Sequence, residues 1–536
     1  MSSGGRLHLA GLRSGKWLGG VVGVVGVLLI WELGALLLNG KHILPTPPQV
    51  LGEMWDDKGY YWPNMIVTLR EAAKGYLAGN IVAIVLAVVF IQVPFIERLL
   101  MRLAIASYCV PLVAIAPILI VTTSGDTPKA ALAAITVLFT TLIATLLGLR
   151  SVDKSALDLV KSCGGGSWMT LRKVRFQAAL PSIFAGLRIA APSALLGAII
   201  GEYLGANSGL GALLLQSQDS FQVTETWALA VFIAAVAGLA YALTSVAARL
   251  LLPWAGKGAT VVVGTAETRD TSRSLLTRAF LATWYLVLSV ALIVGLWYGV
   301  IRLFNLNDFF AKTPANVWSF FFTGPTAHAD RDQIWGLLGQ TIDDAIYGYI
   351  TGTAVAIIVA IGVVAKRSIE QTLMPIAIAL RSVPLVAMTP FIMLIFHRGA
   401  VGTSVVVGIV VFFPTLVNLI IGMRTAPEQA IDMVASYGGS TSTSIRKVRF
   451  PYALPALFAS ARIAVPAAIA GATLAEWLAT GRGLGNLIVV SYADSNFDTL
   501  WASAVVIVAV AVAVYALVGM LEVVVRSRFG PAPESD

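Results

Sequence analysis

Little in this chain is equipped for covalent chemistry. His8, His42, His328 and His397 are scattered and form no constellation. Cys109, in an apolar run, and Cys163, in a basic loop, have no Cys or His neighbour at metal-ligand spacing, so they read as two small inert thiols and no metal site is expected. Each Gly-Lys pair (Gly15-Lys16, Gly40-Lys41, Gly256-Lys257) is followed by Trp, His or Gly and never by Ser or Thr, so no phosphate-binding loop can be written and the chain is expected to bind no cofactor. What does recur with strict spacing is a different set. Asp158, Gly164, Gly165, Arg172, Pro181, Pro192, Glu202 and Gly211 return at one constant offset as Asp432, Gly438, Gly439, Arg446, Pro455, Pro466, Glu476 and Gly485. The stretch from Asp158 to Gly211 matches that from Asp432 to Gly485 without a gap and with roughly half its positions identical, which is a duplication and not shared hydrophobic bias.

The elements that must carry these residues follow from composition. Of the 536 residues, 57% are hydrophobic and only 12% charged, and mean hydropathy is +0.83. A soluble domain carries about 25% charged residues. Apolar runs of about 20 residues recur, enough to cross a ~30 Å hydrocarbon core as helix, and strand-like alternation is absent over them. An all-α membrane protein is therefore expected, with spans near 17–38, 75–95, 101–122, 129–148, 181–204 and 227–252, a polar linker over 253–277, and spans near 279–302, 344–365, 373–396, 401–422, 456–479 and 501–525. The total is about twelve, divided as a first half 1–252 and a second half 278–536. The net charge of +9 is concentrated beside the membrane and does not point to nucleic acid. Arg6, Arg13 and Lys16 precede the first run without an acid, and basic loops lie at about 150–180 and 424–455, which places these loops and both termini in the cytoplasm. Each half has an even number of spans, so the copies run parallel and can pair about an axis along the membrane normal, with a pathway between them.

Within the basic loops, Ser155 to Ser162 can form two helical turns with Leu157 and Val160 on one face, and Gly164, Gly165 and Gly166 then let the chain turn sharply. A short helix so presented suits insertion into a groove on a soluble partner. Pro181 and Pro455 are expected where a membrane helix begins, since a missing N–H costs nothing there. Arg188 and Arg462 are expected one turn into those spans, snorkelling to the inner interface. Glu202 and Glu476 fall near the outer ends, just before Gly-Leu-Gly, as candidates for shaping an outer gate or holding a re-entrant segment. Pro111 and Pro117, recurring as Pro384 and Pro390, are expected to interrupt the third and ninth spans and leave carbonyls free to line a cavity. Arg381, whose counterpart is Tyr108, is the preferred cation near a pathway if the solute is an anion.

The segments Gly164 through Leu180-Pro181 and Gly438 through Leu454-Pro455 resemble the cytoplasmic coupling loop of ATP-binding-cassette importer permeases, whose pattern is Glu-Ala-Ala, three residues, Gly, and later Leu-Pro. Glu202-Tyr203-Leu204 with Gly209-Leu210-Gly211, and Ala475-Glu476-Trp477-Leu478 with Gly483-Leu484-Gly485, resemble the nitrate, sulfonate and taurine branch. The chain departs from the pattern in having Asp158-Leu159-Val160 and Asp432-Met433-Val434 where Glu-Ala-Ala is usual, and in fusing two unequal copies. The resemblance implies a type I importer permease fold in the plasma (inner) membrane, working by alternating access. It also implies an extracytoplasmic solute-binding protein and two cytoplasmic ATPase subunits that carry the ATP and Mg and contact Asp158, Gly164, Gly165, Asp432, Gly438 and Gly439. Cys163 against Tyr437 and Trp168 against Ser442 suggest that the two ATPase contacts need not be equivalent. Within that branch the solute is a sulfonate, taurine, nitrate, bicarbonate or a vitamin precursor, and no residue here selects among them. A six-plus-six secondary transporter driven by an ion gradient is the rival, but it would not require two matched coupling loops.

Overall fold

The computed structural model describes residues 14–37, 43–254, 275–366, 368–370, 373 and 385–529. Among these residues the regular structure is helical throughout. The first half contains α1 (Ser14–Leu37), α2 (Pro47–Asp56), α3 (Lys58–Gln92), α4 (Pro94–Cys109), α5 (Leu112–Thr122), α6 (Thr127–Arg150), α7 (Lys154–Ser162), α8 (Ser167–Gly205), α9 (Leu210–Asp219) and α10 (Val223–Leu251). The second half repeats the plan with α11 (Leu275–Leu303), α12 (Pro314–Trp318), α13 (Ala327–Ala365), α14 (Leu385–Phe396), α15 (Ala400–Arg424), α16 (Glu428–Ser436), α17 (Thr441–Thr480), α18 (Gly483–Ala493) and α19 (Phe497–Phe529). Among the described residues nine helices are long and apolar enough to cross a membrane, or ten when the bent pair α4 and α5 counts as one. The other two expected crossings, near 17–38 and 373–396, correspond to the apolar helices Val25–Leu37, within α1, and α14. Arg381, Pro384 and most of the 253–277 linker lie outside the described residues.

Several expected boundaries change. The third span is not one helix: α4 and α5 meet at 97°. Pro111 is the cause, because its ring pushes the preceding residue out of the helical region, and Val110 is extended at φ −69°, ψ 116°. Pro117, by contrast, sits inside α5 and Pro390 inside α14 without interrupting either helix. Pro181 and Pro455 also lie within helices and do not start them. Each is preceded by a π-helical turn, Leu171–Arg175 or Ile445–Arg449, so the basic triplets Arg172-Lys173-Arg175 and Arg446-Lys447-Arg449 belong to the spanning helices. The spans expected near 75–95 and 344–365 are the inner parts of α3 and α13, which have 35 and 39 residues. At 1.5 Å per residue each is roughly 50–60 Å long and protrudes well beyond a ~30 Å core.

Close packing explains the recurring glycines. A Cβ on Gly75 would lie 2.9 Å from the Ala134 nitrogen, and one on Gly352 2.8 Å from the Gly408 Cα, so α3 crosses α6 and α13 crosses α15 nearly backbone to backbone. In lipid, where hydrophobicity does not drive helix association, such contact supplies the van der Waals energy. The two halves also interlock. Cys109, Ala114 and Ile118 from α4 and α5 pack in a core with Val407, Ala464, Leu484 and Ile507 of the second half. Val386, Ala387 and Phe391 of α14 enter the core formed by α3, α6, α8, α9 and α10.

Candidate functional site

Two sites emerge, one at each end of the bundle. The first is the pair of short helices α7 and α16. Each ends in a left-handed glycine, Gly164 at φ +76° and Gly438 at φ +72°. Gly164 N–H donates to Lys161 O at 2.9 Å and Gly165 N–H to Val160 O at 2.8 Å; Gly438 N–H donates to Ala435 O at 2.9 Å and Gly439 N–H to Val434 O at 2.9 Å. This Schellman closure needs the first glycine for its backbone angle. The second is needed for space, since a Cβ on Gly165 or Gly439 would lie 2.7 Å from the Val160 or Val434 carbonyl oxygen. Neither helix contains a buried residue. Leu157 and Val160, like Ile431 and Val434, are half-buried. The outward side chains include Asp158 and Leu159 on one helix and Asp432 and Met433 on the other, with Leu159 64% and Met433 63% exposed. A nine-residue helix with no buried residue gains little from intramolecular packing.

The second site is at the opposite end. After α8 and α17 the chain turns back through Gly209-Leu210-Gly211 and Gly483-Leu484-Gly485 into α9 and α18, of 10 and 11 residues. These helices begin inside the protein, where their first N–H groups need partners. Glu202 Oε2 accepts from Gly211 N–H at 2.8 Å, Thr68 Oγ1 from Leu210 N–H at 2.8 Å and Asn64 Oδ1 from Gly209 N–H at 2.8 Å. In the second half Glu476 Oε2 accepts from Gly485 N–H at 2.8 Å and Thr341 Oγ1 from Leu484 N–H at 3.0 Å. Both carboxylates are fully buried, and they sit where a Cβ on Gly209 (φ +110°) or Gly483 (φ +77°) would have to go. A carboxyl oxygen at the start of a helix satisfies an amide that has no partner within the helix. Thr68 and Thr341 are legible in the sequence as a repeated pair, but their role as caps is a finding of the structure.

Between these turns lies a contact that sequence reading missed. Tyr203 and Trp477, each other's counterparts in the repeat, meet edge to face with ring centroids 5.3 Å apart. Residues that touch their own counterpart lie on the pseudo-twofold axis, where a pathway between halves would run. Tyr203 OH also donates to Gln218 Oε1, anchoring the ring from α9.

The remaining candidates separate. Tyr108 OH donates to Ile463 O at 3.0 Å and stacks on Phe139 at 4.6 Å, tying the first half to α17. Pro111, at φ −64°, ψ 130°, is the N-cap of α5. Arg188 and Arg462 lie 21 residues after Ser167 and Thr441, where α8 and α17 begin. Arg462 Nη1 is 3.5 Å from Glu522 Oε2, and its guanidinium lies over the Tyr515 ring at 4.7 Å. Arg188 Nε donates to Phe184 O at 3.3 Å. Near the second site Lys129 Nζ is 3.0 Å from Glu71 Oε1 in a buried pair, and Lys74 is 2.8 Å from Asp126, whose carboxyl that hydrogen bond holds below the usual carboxylate range.

A duplicated bundle of crossing helices, with a re-entrant turn at one end and exposed short helices at the other, is the architecture of a membrane permease. Residues 79–257 and again 352–529 match the family described as the binding-protein-dependent transport system inner membrane component, and the chain belongs to that family. It is 34% identical over 203 residues to a probable ABC transporter permease protein of Haemophilus influenzae, covering 37% of this chain and 83% of that one. Over 249 residues it is 30% identical to a riboflavin transport system permease of Chloroflexus aurantiacus (45% and 93%), and over 235 residues 28% identical to a putative aliphatic sulfonates transport permease of Escherichia coli (43% and 89%). Each relative spans most of its own length and less than half of this chain, as a fusion of two permease copies requires. The protein is thus a multi-pass inner-membrane permease of an ATP-driven, binding-protein-dependent importer, of a type I importer permease fold.

Proposed function

We propose that this single chain supplies both halves of the translocation pathway, with both termini, the linker and the helices α7 and α16 on the cytoplasmic side. Two ATPase subunits, carrying ATP and Mg, dock against Asp158, Gly164 and Gly165 on one loop and Asp432, Gly438 and Gly439 on the other. Their closure draws α7 and α16 together and opens the far end to a solute delivered by an extracytoplasmic binding protein. Glu202 and Glu476 do not bind the solute in this reading. They hold α9 and α18 in place, and Tyr203 with Trp477 is the closure on the axis that must part. The relatives handle sulfonates, taurine, bicarbonate, riboflavin and a formylaminopyrimidine, so the solute is a small polar or anionic molecule or a vitamin precursor.

The observation that carries this reading is the pair of short, unburied helices closed by the same glycine motif. Replacing Gly164 and Gly438 together by Val strains each left-handed position by about 1–2 kcal/mol. Uptake into cells and ATP hydrolysis by the purified complex should both fall at least tenfold, while the chain still inserts in the membrane. Uptake that survives the substitutions and instead collapses when the proton or sodium gradient is discharged would establish a secondary transporter.

A further inference from the structure

We propose that a repeated ion pair at the end of the bundle that carries α7 and α16, Glu97 with Arg150 and Glu370 with Arg424, passes movement of those short helices to the membrane segments at whose starts the two acids stand. This rests on the importer reading above and deepens it. Arg150 Nη2 lies 2.5 Å from Glu97 Oε1, and Arg424 Nη2 lies 2.8 Å from Glu370 Oε2. The acids share the offset that relates Pro111 to Pro384, and the arginines the offset, one residue longer, that relates Gly148 to Gly422. The pair has therefore been kept across the place where one copy lost or gained a residue. Around the acids the copies have diverged, with Phe95 against Ser368 and Arg98 against Gln371.

Their place decides what the pairs do. Arg150 and Arg424 are the last residues of α6 and α15, and α7 and α16 begin four residues later. A hydroxyl closes each spanning helix there, Ser151 Oγ donating to Gly148 O at 2.8 Å and Thr425 Oγ1 to Gly422 O at 2.9 Å. The acids stand just past the end of the preceding helix, where Glu97 N–H donates to Val93 O at 3.2 Å and Glu370 N–H to Lys366 O at 3.4 Å. Each pair thus ties the root of a short helix to the foot of another membrane segment. In the first half that segment is α4, which ends at the 97° bend and whose Tyr108 is bonded to Ile463 O of the other half. A rigid helix held at both ends passes on a displacement of either. Folding does not account for the pairs, because the acids are 19% and 32% exposed and the arginines 40% and 47%, where ion pairs add little. Each charge also suits its own helix end without the other, acid at a start and base at a finish. Glu370 and Arg424 further line a cavity of 390 Å³ with Val363 and Val364, so that pair has room to shift.

The test uses the full chain in the complex purified with its ATPase subunits, with spin-label distances read by pulsed electron paramagnetic resonance without nucleotide and with ATP and vanadate. Exposed Cys163 with Tyr437→Cys reports the separation of α7 and α16, while buried Cys109 stays unlabelled. Ser124→Cys with Arg398→Cys, in a Cys163→Ser chain, places labels in exposed loops at the far end, just after α5 and α14. Nucleotide should change both distances in the parent. Glu97→Gln with Glu370→Gln should keep the change between α7 and α16 and reduce that at the far end about twofold or more. Arg150→Gln with Arg424→Gln should do the same, and combining acid and arginine variants should add nothing, since each pair is lost only once. Exchanging the charges, Glu97→Arg with Arg150→Glu and Glu370→Arg with Arg424→Glu, should restore most of the far-end change. A far-end change that survives, losses that add, or an exchange that restores nothing overturns the proposal and leaves the importer reading standing. A parent complex without ATPase subunits, or one in which nucleotide moves neither label pair, overturns both.

Discussion

The two halves share a backbone plan and differ in where they are pinned. In the first half the buried ion pair is Glu71 with Lys129, beside Glu202 at the re-entrant end, with relative side-chain exposures of 1% and 13%. In the second half it is Arg462 with Glu522, towards the end that carries α7 and α16, with exposures of 19% and 6%. Neither ion pair recurs as such among the described residues: Asp344 keeps an acid where the first half has Glu71, with Arg482 as a nearby cation, and Ala248, itself buried, stands where the second has Glu522. A duplicated fold has thus been fastened at opposite ends.

The largest expected effect follows from removing one member of such a pair. Glu522→Leu leaves the Arg462 guanidinium buried without its carboxylate, at a cost of about 3–5 kcal/mol, whereas Glu522→Leu with Arg462→Leu should recover most of it. The readout is the denaturation midpoint of the purified chain; if the double variant is no more stable than the single one, Glu522 is not the counter-ion. Ala248→Glu, which puts the second half's acid at the matching position of the first, should be tolerated far better than Glu522→Leu.

A middle effect is expected on the axis. Tyr203→Ala with Trp477→Ala removes a ring contact of about 0.5–1.5 kcal/mol. The corresponding change is a several-fold rise in ATP-independent solute leak through proteoliposomes, and an unchanged leak would place the closure elsewhere. The smallest concerns the caps. Thr68→Val should cost less than Thr341→Val, each near 1 kcal/mol, because Asn64 still holds the first turn of α9 while Leu337 occupies the corresponding position in the second half. Equal losses by thermal unfolding would remove that asymmetry.

Local requirements were legible in the sequence. The glycine pairs at 164–165 and 438–439 announce a turn, because few other residues fit a left-handed angle followed by a close backbone approach. The acids ahead of Gly-Leu-Gly announce a helix start. Proline was less readable: Pro111 breaks its helix while Pro117, six residues on, does not, since the cost depends on whether neighbouring helices support the freed carbonyl. The partner of Arg462 was not legible for a related reason: Glu522 lies 60 residues further along the chain. The Tyr203–Trp477 contact depends on the axis position, which the repeat implies but does not locate.

The re-entrant helices carry a consequence for biogenesis. α9 and α18 are too short to cross a bilayer, and each begins with amide groups that lipid cannot satisfy. The acceptors they need, Asn64, Thr68 and Glu202 for one and Thr341 and Glu476 for the other, all precede them in the chain. A ribosome delivering this protein from its N-terminus therefore inserts the receiving groups before it releases each segment that depends on them. The first turn of neither segment has to wait for later synthesis to find its hydrogen-bond acceptors.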